Sequence, residues 1–314
     1  MTFDVLFDRW WPSKSSEVRR STANSYLLSW NSVKPIIGSV DVSVFGRRDA
    51  QFLLGKLIES GLSAKSCRDR IALVRMMLNA ALQDFAITIL PTDWQLKYPA
   101  AKPRLIKSFT REESKKIVCR LYADADSLAP SVAAVAISLL AGLRIGETCG
   151  LKWSDFDFAH GTFSVKRTVN HIYNPLEKKC ESLVGAPKSA AGFREVPLHP
   201  ILKKILRKFF GDPKSLSGYV LSGDSKPYTP HVVRDAFERF RDRNRLPKIN
   251  FHGLRHTFAT ILIEAGVDVK VVSDIIGHAD VSTTYNLYVH PSADSKRKAV
   301  AKAFRGFKLE GGEA

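Results

Sequence analysis

A proline-containing basic segment at residues 98–109 divides this chain of 314 residues into two parts. The segment holds Pro99 and Pro103 together with three basic side chains. Proline fixes its own backbone angle, lacks an amide hydrogen and disfavours helix in the residue before it, so no regular helix should run through this segment. We therefore expect an extended linker between a first domain at residues 1–97 and a second domain at residues 110–314.

The first part of the chain has apolar residues at the spacing of helices. The pattern predicts three helices, at about residues 22–33, 48–60 and 63–84. In the last of these, apolar side chains form one stripe while basic side chains project elsewhere. A basic helix face is either simply solvated or in contact with phosphates, and both alternatives stand for a chain this basic.

The second part combines helical and strand-like segments. Thr110 and Glu113 form a capping-box pattern that opens a helix. Further helices are predicted at about residues 131–141, 201–210, 230–241, from residue 252 onward, and at 293–304. Strands are predicted at residues 162–169, before Gly185, and at residues 193–198. The predicted fold class is mainly α with a small antiparallel β-sheet, divided into a helical domain and a mixed α/β domain.

The formal net charge is +17, and most of the excess lies in residues 101–314. This charge favours a polyanionic partner, but it does not distinguish DNA from RNA or from an anionic membrane. No apolar run reaches the roughly 18–20 residues of a membrane span, and no signal peptide opens the sequence, so we expect a cytoplasmic protein without a membrane partner. The four cysteines are widely spaced without a CxxC pair, which predicts free thiols.

Arg144 lies in an otherwise apolar stretch of small residues, and Glu147 follows it three positions later. A buried arginine is costly unless a carboxylate or a phosphate neutralises it. The pair is therefore either a structural ion pair or a phosphate-binding arginine that Glu147 orients, and both interpretations can hold together.

A second cluster is the run His252-Gly253-Leu254-Arg255-His256. His252 and Arg255 are about one helical turn apart, so both can face the same phosphate group. His252 and His256 also have the spacing of zinc ligands on a helix, but no acidic residue between them could act as a general base. A core or capping role is favoured for His256.

His278 follows Gly277, and Tyr288 follows ten residues later. Taken alone, His278 would be interpreted as a surface histidine and Tyr288 as a core tyrosine. Together with the two arginines they offer a route to phosphodiester cleavage without a metal. Arginine forks can bind the non-bridging oxygens, a histidine can move or orient a proton, and a phenol can attack phosphorus and keep the broken bond as an ester.

In their order and spacing these residues resemble the tyrosine recombinase, or phage integrase, family across almost all of the second part. The resemblance implies that Tyr288 is the nucleophile and that Arg144 and Arg255 clamp the scissile phosphate. It also implies that His252 orients or removes a proton and that His278 hydrogen-bonds the phosphate. The two predicted domains would then be the family's helical core-binding domain and its catalytic domain.

The resemblance adds two supporting residues. Glu147 matches the family's acidic support for the first arginine, and Lys188 matches the hairpin lysine that protonates the leaving oxygen. Two other lysines lie in the same region as Lys188 and leave that match open. Tyr285, three residues before Tyr288, is a second candidate nucleophile, which the family spacing disfavours.

The resemblance also implies partners. The partners are double-stranded DNA attachment sites and accessory DNA-bending proteins. The protein itself would be a monomer without DNA and a homotetramer on two DNA duplexes. Neither a metal nor another cofactor is expected, because the arginines supply the positive charge and the phosphotyrosine stores the broken bond. Candidate DNA contacts are the basic side chains of the third predicted helix and the linker, namely Lys65, Arg68, Arg70, Lys102 and Arg104.

The function that follows is site-specific recombination for integration or excision of a mobile element. One alternative is a type IB topoisomerase-like enzyme, which uses the same nicking chemistry without strand exchange. A second is a DNA-binding protein with a decayed site, although every matched position is present. A zinc hydrolase built on His252 and His256 is a third.

Overall fold

The computed structural model of the protein describes residues 1–100, 107–174, 179–187, 189–212 and 215–288, together with residues 297, 300, 301, 304 and 305. Two compact units are present, one formed by Met1–Leu105 with Ile172–Glu181 and the other by Ile106–His171 with Ser182–Ala314. Within the described ranges, no helix has both the length and the apolar character needed to cross a membrane. Part of the predicted linker, residues 101–106, and most of the predicted final helix at 293–304 lie outside the described residues.

Four helices make up most of the first unit. They are α1 (Phe3–Glu17), α2 (Arg20–Ile37), α3 (Arg47–Glu59) and α4 (Ala64–Gln83). Helices α2, α3 and α4 confirm the three predicted helices. Helix α1 was not predicted, and it contains Pro12, a residue that disfavours the interior of a helix. Apolar faces of these helices form one core, in which the rings of Phe7 and Trp30 stack with centroids 4.5 Å apart.

The second unit contains eight further α-helices within the described residues. They are α5 (Arg111–Ala123), α6 (Ala133–Ala141), α7 (Ile145–Gly150), α8 (Pro200–Phe210), α9 (Pro230–Arg243), α10 (His252–Glu264), α11 (Val269–Ile276) and α12 (Val281–Tyr288). The predicted capping box is confirmed at the start of α5, where the Thr110 backbone donates to Glu113 over 2.8 Å and the Glu113 backbone donates to Thr110 over 3.2 Å.

Five strands form two small sheets rather than one. They are β1 (Phe156–Asp157), β2 (Thr162–Val165), β3 (Thr168–Asn174), β4 (Lys179–Gly185) and β5 (Arg194–Pro197). The first sheet is antiparallel with the order β1-β2-β5, and β3 pairs with β4 separately. The single strand predicted at residues 162–169 was therefore wrong. The first sheet ends at Val165 on this strand, and two residues later the Arg167 guanidinium contacts the buried Asp155 carboxylate, 2.5 Å away.

The centre of the second unit is α6, which is apolar on all sides and almost entirely buried. A helix without a polar face must be covered all round, and α5, α7, α8 and α10 all pack against it. It ends at Gly142, whose φ of 69° is left-handed, a conformation that glycine adopts without steric cost. This turn sends the chain directly into α7 and fixes the place of Arg144.

We expect Gly142→Ala to destabilise the second unit more than Gly161→Ala does. Both glycines have φ of 69°, so both substitutions carry the left-handed backbone cost of roughly 1–2 kcal/mol. A Cβ at Gly142 would also lie 2.5 Å from Phe258 Cδ1, whereas a Cβ at Gly161 meets nothing within 4 Å. Urea unfolding of the two variants measures the difference in the free energy of unfolding. Equal losses would mean that Phe258 moves aside without cost.

Candidate active site

The corner between α6 and α7 holds Arg144 against Glu147. The Glu147 side chain is buried, and its Oε2 accepts a hydrogen bond of 3.0 Å from the Arg144 backbone. Its Oε1 accepts a second bond of 2.7 Å from Arg144 Nη1, while Nη2 donates to the carbonyl of Gly277 over 3.0 Å. The Arg144 side chain nevertheless remains 39% exposed. It is therefore held in place yet accessible to a ligand.

Arg255 approaches the same carboxylate from the start of α10. Its side chain is only 1% exposed, and its Nη1 donates to the carbonyl of Gly142 over 2.9 Å. The same nitrogen lies 4.0 Å from Glu147 Oε2. The two arginines matched by the family pattern thus meet at one acidic residue, as the sequence predicted for Glu147 and Arg144.

A third arginine joins this cluster and was missed by the sequence analysis. Arg194, in β5, is 6% exposed and lies 2.9 Å from Glu147 Oε2 through Nη2 and 3.3 Å from Oε1 through Nη1. A signal for its burial was present, because strand alternation places Arg194 on the same side as the buried Val196 and Leu198. Nothing in the sequence indicated which carboxylate it meets.

Positive charge dominates the cluster. Burial on its own raises the pKa of Glu147, but the hydrogen bond and charge of Arg194, followed by the charge of Arg144, outweigh it and hold the pKa below its ordinary value. Among the residues that the structure describes, three guanidiniums therefore face one ionised carboxylate. Such a cluster suits an anion with several oxygens, such as a phosphodiester.

Three histidines lie beside the arginines. The rings of His252 and His256 meet edge to face with centroids 4.5 Å apart at the start of α10. His278 follows Gly277, the left-handed residue that ends α11, and its Nδ1 is joined to the hydroxyl of Thr284 by a 2.8 Å hydrogen bond. Thr284, which is fully buried in α12, is a further residue that the sequence analysis did not single out.

The pKa values of all three imidazoles are lowered, which favours their neutral forms. Burial, followed by the charge of Arg255, lowers the pKa of His252 and lowers that of His278 to about 4. Burial, followed by the neighbouring His252, lowers the pKa of His256 to about 4. A neutral imidazole can accept a proton through one nitrogen, which suits a general base or a hydrogen-bonding group beside a phosphate.

The two candidate nucleophiles lie on α12. Tyr288 is its last residue and is four positions, or about one helical turn, beyond Thr284. The Tyr285 side chain is 56% exposed. Lys188, matched to the family's hairpin lysine, lies outside the described residues. The described residues contain no group of three or more histidine, cysteine, aspartate or glutamate side chains placed to hold a metal ion.

The basic side chains predicted to contact DNA differ in their surroundings. On α4, Lys65 is 83% exposed and forms an ion pair of 3.2 Å with Asp69. Arg68 is exposed and lies over the ring of Tyr98, 5.0 Å from its centre. Arg70 is only half-exposed, because its guanidinium bonds to Ser32 and to the backbone of its own helix. Two further candidates, Lys102 and Arg104, lie outside the part of the chain that the structure describes.

Comparison with known proteins identifies what this arrangement resembles. Residues 107–295 match the model of the phage integrase family. A tyrosine recombinase XerC-like protein of Caldanaerobacter subterraneus subsp. tengcongensis is 28% identical in an alignment 284 residues long, and the alignment covers 82% of this chain and 71% of the relative. The transposase from transposon Tn916 of Enterococcus faecalis is 28% identical in an alignment 266 residues long, and the alignment covers 79% of this chain and 64% of that protein.

Solved structures share the fold. The Tn1549 transposon integrase in complex with transposon right end DNA superposes with a TM-score of 0.80 at 22% sequence identity. The superposition covers 96% of this chain and 99% of the integrase chain. A lambda integrase dimer bound to a COC′ core site superposes with a TM-score of 0.64 at 17% sequence identity. The superposition covers 100% of this chain and 99% of the lambda integrase chain. These similarities confirm the predicted tyrosine recombinase architecture of a helical part and a mixed α/β part.

We expect His278 to stay neutral in the folded protein until the pH approaches about 4. The unfolded chain takes up this proton near pH 6.5, so it binds more protons between these values and the free energy of unfolding falls as the pH is lowered through that window. Imidazole NMR measures the pKa directly, and His278→Gln should make unfolding less sensitive to acid.

The exposed His160 is the internal reference. Its pKa is raised by its hydrogen bond to Asp157, so its signal should titrate above pH 6.5 in the same sample. If His278 titrated together with His160, the inference that burial and arginine charge keep His278 neutral would be wrong.

Proposed function

This chain belongs to the phage integrase family, and on that basis we propose that it is a site-specific DNA recombinase that moves a mobile element. The observation that carries the proposal is the arginine cluster on Glu147, with neutral histidines beside it, at the positions of the family's pattern. The relatives named above are recombinases and transposases, which favours strand exchange over the topoisomerase-like alternative. Because the chain spans 64–71% of their lengths, the activity of the whole relatives is carried over here as a proposal.

The proposed reaction begins with the scissile phosphate bound by Arg144 and Arg255. The oxygen of Tyr288 attacks phosphorus, its proton passes to a base for which His252 is the candidate, and the bond from phosphorus to the 5′-oxygen breaks. Lys188 is the proposed proton donor to that leaving oxygen, and His278 hydrogen-bonds the phosphate. The energy of the broken bond is kept in a 3′-phosphotyrosine, so a 5′-hydroxyl of another strand can reverse the reaction without ATP.

Duplex DNA is the proposed partner of both units. Lys65 and Arg68 on α4 are accessible enough for phosphate contacts, whereas Arg70 is partly committed to the protein. We propose a monomer that assembles as a tetramer on two duplexes, with accessory DNA-bending proteins as further partners. In this assembly the basic segment at residues 293–304 docks on a neighbouring protomer and couples cleavage to the presence of that neighbour.

The nucleophile is tested by trapping the covalent adduct on a nicked suicide substrate. Tyr288→Phe keeps the ring and removes the attacking oxygen, so DNA binding should persist while the adduct disappears. Tyr285→Phe is the matched control on the same helix and should still form the adduct. Peptide mapping of the wild-type adduct identifies the residue. Loss of the adduct in Tyr285→Phe, with retention in Tyr288→Phe, would reverse the assignment.

Cleavage is expected to continue in excess EDTA, because guanidiniums supply the positive charge that a divalent metal would otherwise bring to the phosphate. The measurement is the rate of adduct formation with and without chelator, at equal ionic strength. Arg144→Lys is a useful comparison, since lysine keeps the charge but loses the fork contact, and its rate should fall by on the order of 10²–10³. Complete loss in EDTA, restored by added magnesium or zinc, would contradict the arginine-based mechanism.

A further inference from the structure

We propose that Arg194 is a positioning residue for phosphate binding, which occupies the Glu147 carboxylate so that Arg144 and Arg255 keep their positive charge for the scissile phosphate. The inference deepens the proposed function and rests on it for its role in DNA cleavage. Its effect on anion binding, however, can be measured on the protein without DNA.

Arg194 contacts the Glu147 carboxylate and two backbone carbonyls. Two of its nitrogens face both oxygens of Glu147, at 2.9 and 3.3 Å, in a fork-to-fork arrangement. Its Nε donates to the carbonyl of Ile275 over 2.6 Å, and Nη1 donates to the carbonyl of Gly192 over 3.2 Å. With only 6% of its side chain exposed, Arg194 is committed to the protein, in contrast to Arg144.

Arg194 also changes the balance of charge around Glu147. Arg194 contributes the largest lowering of the Glu147 pKa, ahead of Arg144. Without the guanidinium of Arg194, the Glu147 carboxylate would be neutralised only by Arg144 at 2.7 Å and Arg255 at 4.0 Å. The cluster would then have one net positive charge instead of two, and a phosphate would compete with Glu147 for the same guanidiniums. Arg194 therefore determines how much positive charge remains for the ligand.

Arg194 also contacts the turn that follows α11. The carbonyl of Ile275 that Arg194 holds belongs to the last turn of α11, and the next residues are Gly277 and His278. A Cβ at Gly277 would lie 2.9 Å from Arg194 Nη1, so the turn is packed against this guanidinium. The carbonyl of Gly277 in turn accepts from Arg144. Arg194 thus fixes both the carboxylate and the turn that carries His278.

A second buried pair in the same unit provides the control. Arg167 contacts both oxygens of the buried Asp155, at 2.5 and 3.2 Å, and donates to the carbonyl of Gly150 at the far end of α7. Arg194→Met and Arg167→Met each remove a guanidinium from a forked ion pair beside α7. Both should lower the thermal stability, but only the first should alter the anion site.

The first experiment uses inorganic phosphate as the probe on the full chain without DNA. Binding is followed through the imidazole NMR signals of His278. Arg194→Met should weaken phosphate binding about tenfold or more, since one unit charge within 4–6 Å changes proton affinities by a similar factor. Arg194→Lys, which keeps the charge, should lose less, and Arg167→Met should bind as the wild type does.

The double variant Arg194→Met/Glu147→Gln separates charge from packing. Removing the carboxylate as well returns the cluster to two net positive charges, so phosphate affinity should recover relative to Arg194→Met alone. If Arg194 served only to hold the fold together, the double variant would bind no better than the single one. That result, or wild-type affinity in Arg194→Met, would overturn the inference whatever the protein does to DNA.

The second experiment measures adduct formation in a single turnover on the suicide substrate. Arg194→Met should be slower by on the order of 10²-fold, the loss expected when a transition-state donor is displaced. A substrate with a neutral methylphosphonate at the scissile position should reduce that defect, because the group has no negative charge for the arginines to stabilise. An equal defect on both substrates would contradict a charge-based role. If the wild type formed no adduct while the phosphate results held, the proposed function would fail and the anion-site inference would stand.

Discussion

The buried carboxylate of Glu147 is the interaction on which the candidate site depends. A carboxylate that is almost completely removed from water is tolerated only if cations and hydrogen bonds replace its hydration. Here Arg144, Arg194 and Arg255 approach it from the corner between α6 and α7, from β5 and from α10. The position of one acidic side chain therefore requires three separate elements of the second unit to converge.

The same convergence creates the chemistry. More positive than negative charge is gathered in one place, and the Arg144 side chain remains partly open to solvent. Burial, followed by nearby positive groups, lowers the pKa values of His252, His256 and His278 and favours imidazoles that retain a nitrogen able to accept a proton. The proposed metal-independent phosphodiester cleavage depends on this anion-binding cluster and on the imidazoles beside it.

Local patterns predicted most of the helices. The three helices expected in the first unit and the capping box at Thr110 and Glu113 were confirmed, because periodicity and capping are properties of neighbouring residues. The strand expected at residues 162–169 was wrong at Arg167, whose partner Asp155 lies in another element. Strand ends depend on such distant contacts, which a local pattern does not contain.

By itself the sequence determined which chemical groups the protein has and in what order. The pairing of Arg144 with Glu147 was predictable, since three residues separate them on the chain. Only the tertiary structure decided that Arg144 also binds the carbonyl of Gly277, 133 residues away, and that Arg194 from β5 shares the carboxylate. It likewise decided that the pKa of His278 is lowered, because burial and nearby charge are set by residues far away in the chain that folding brings together.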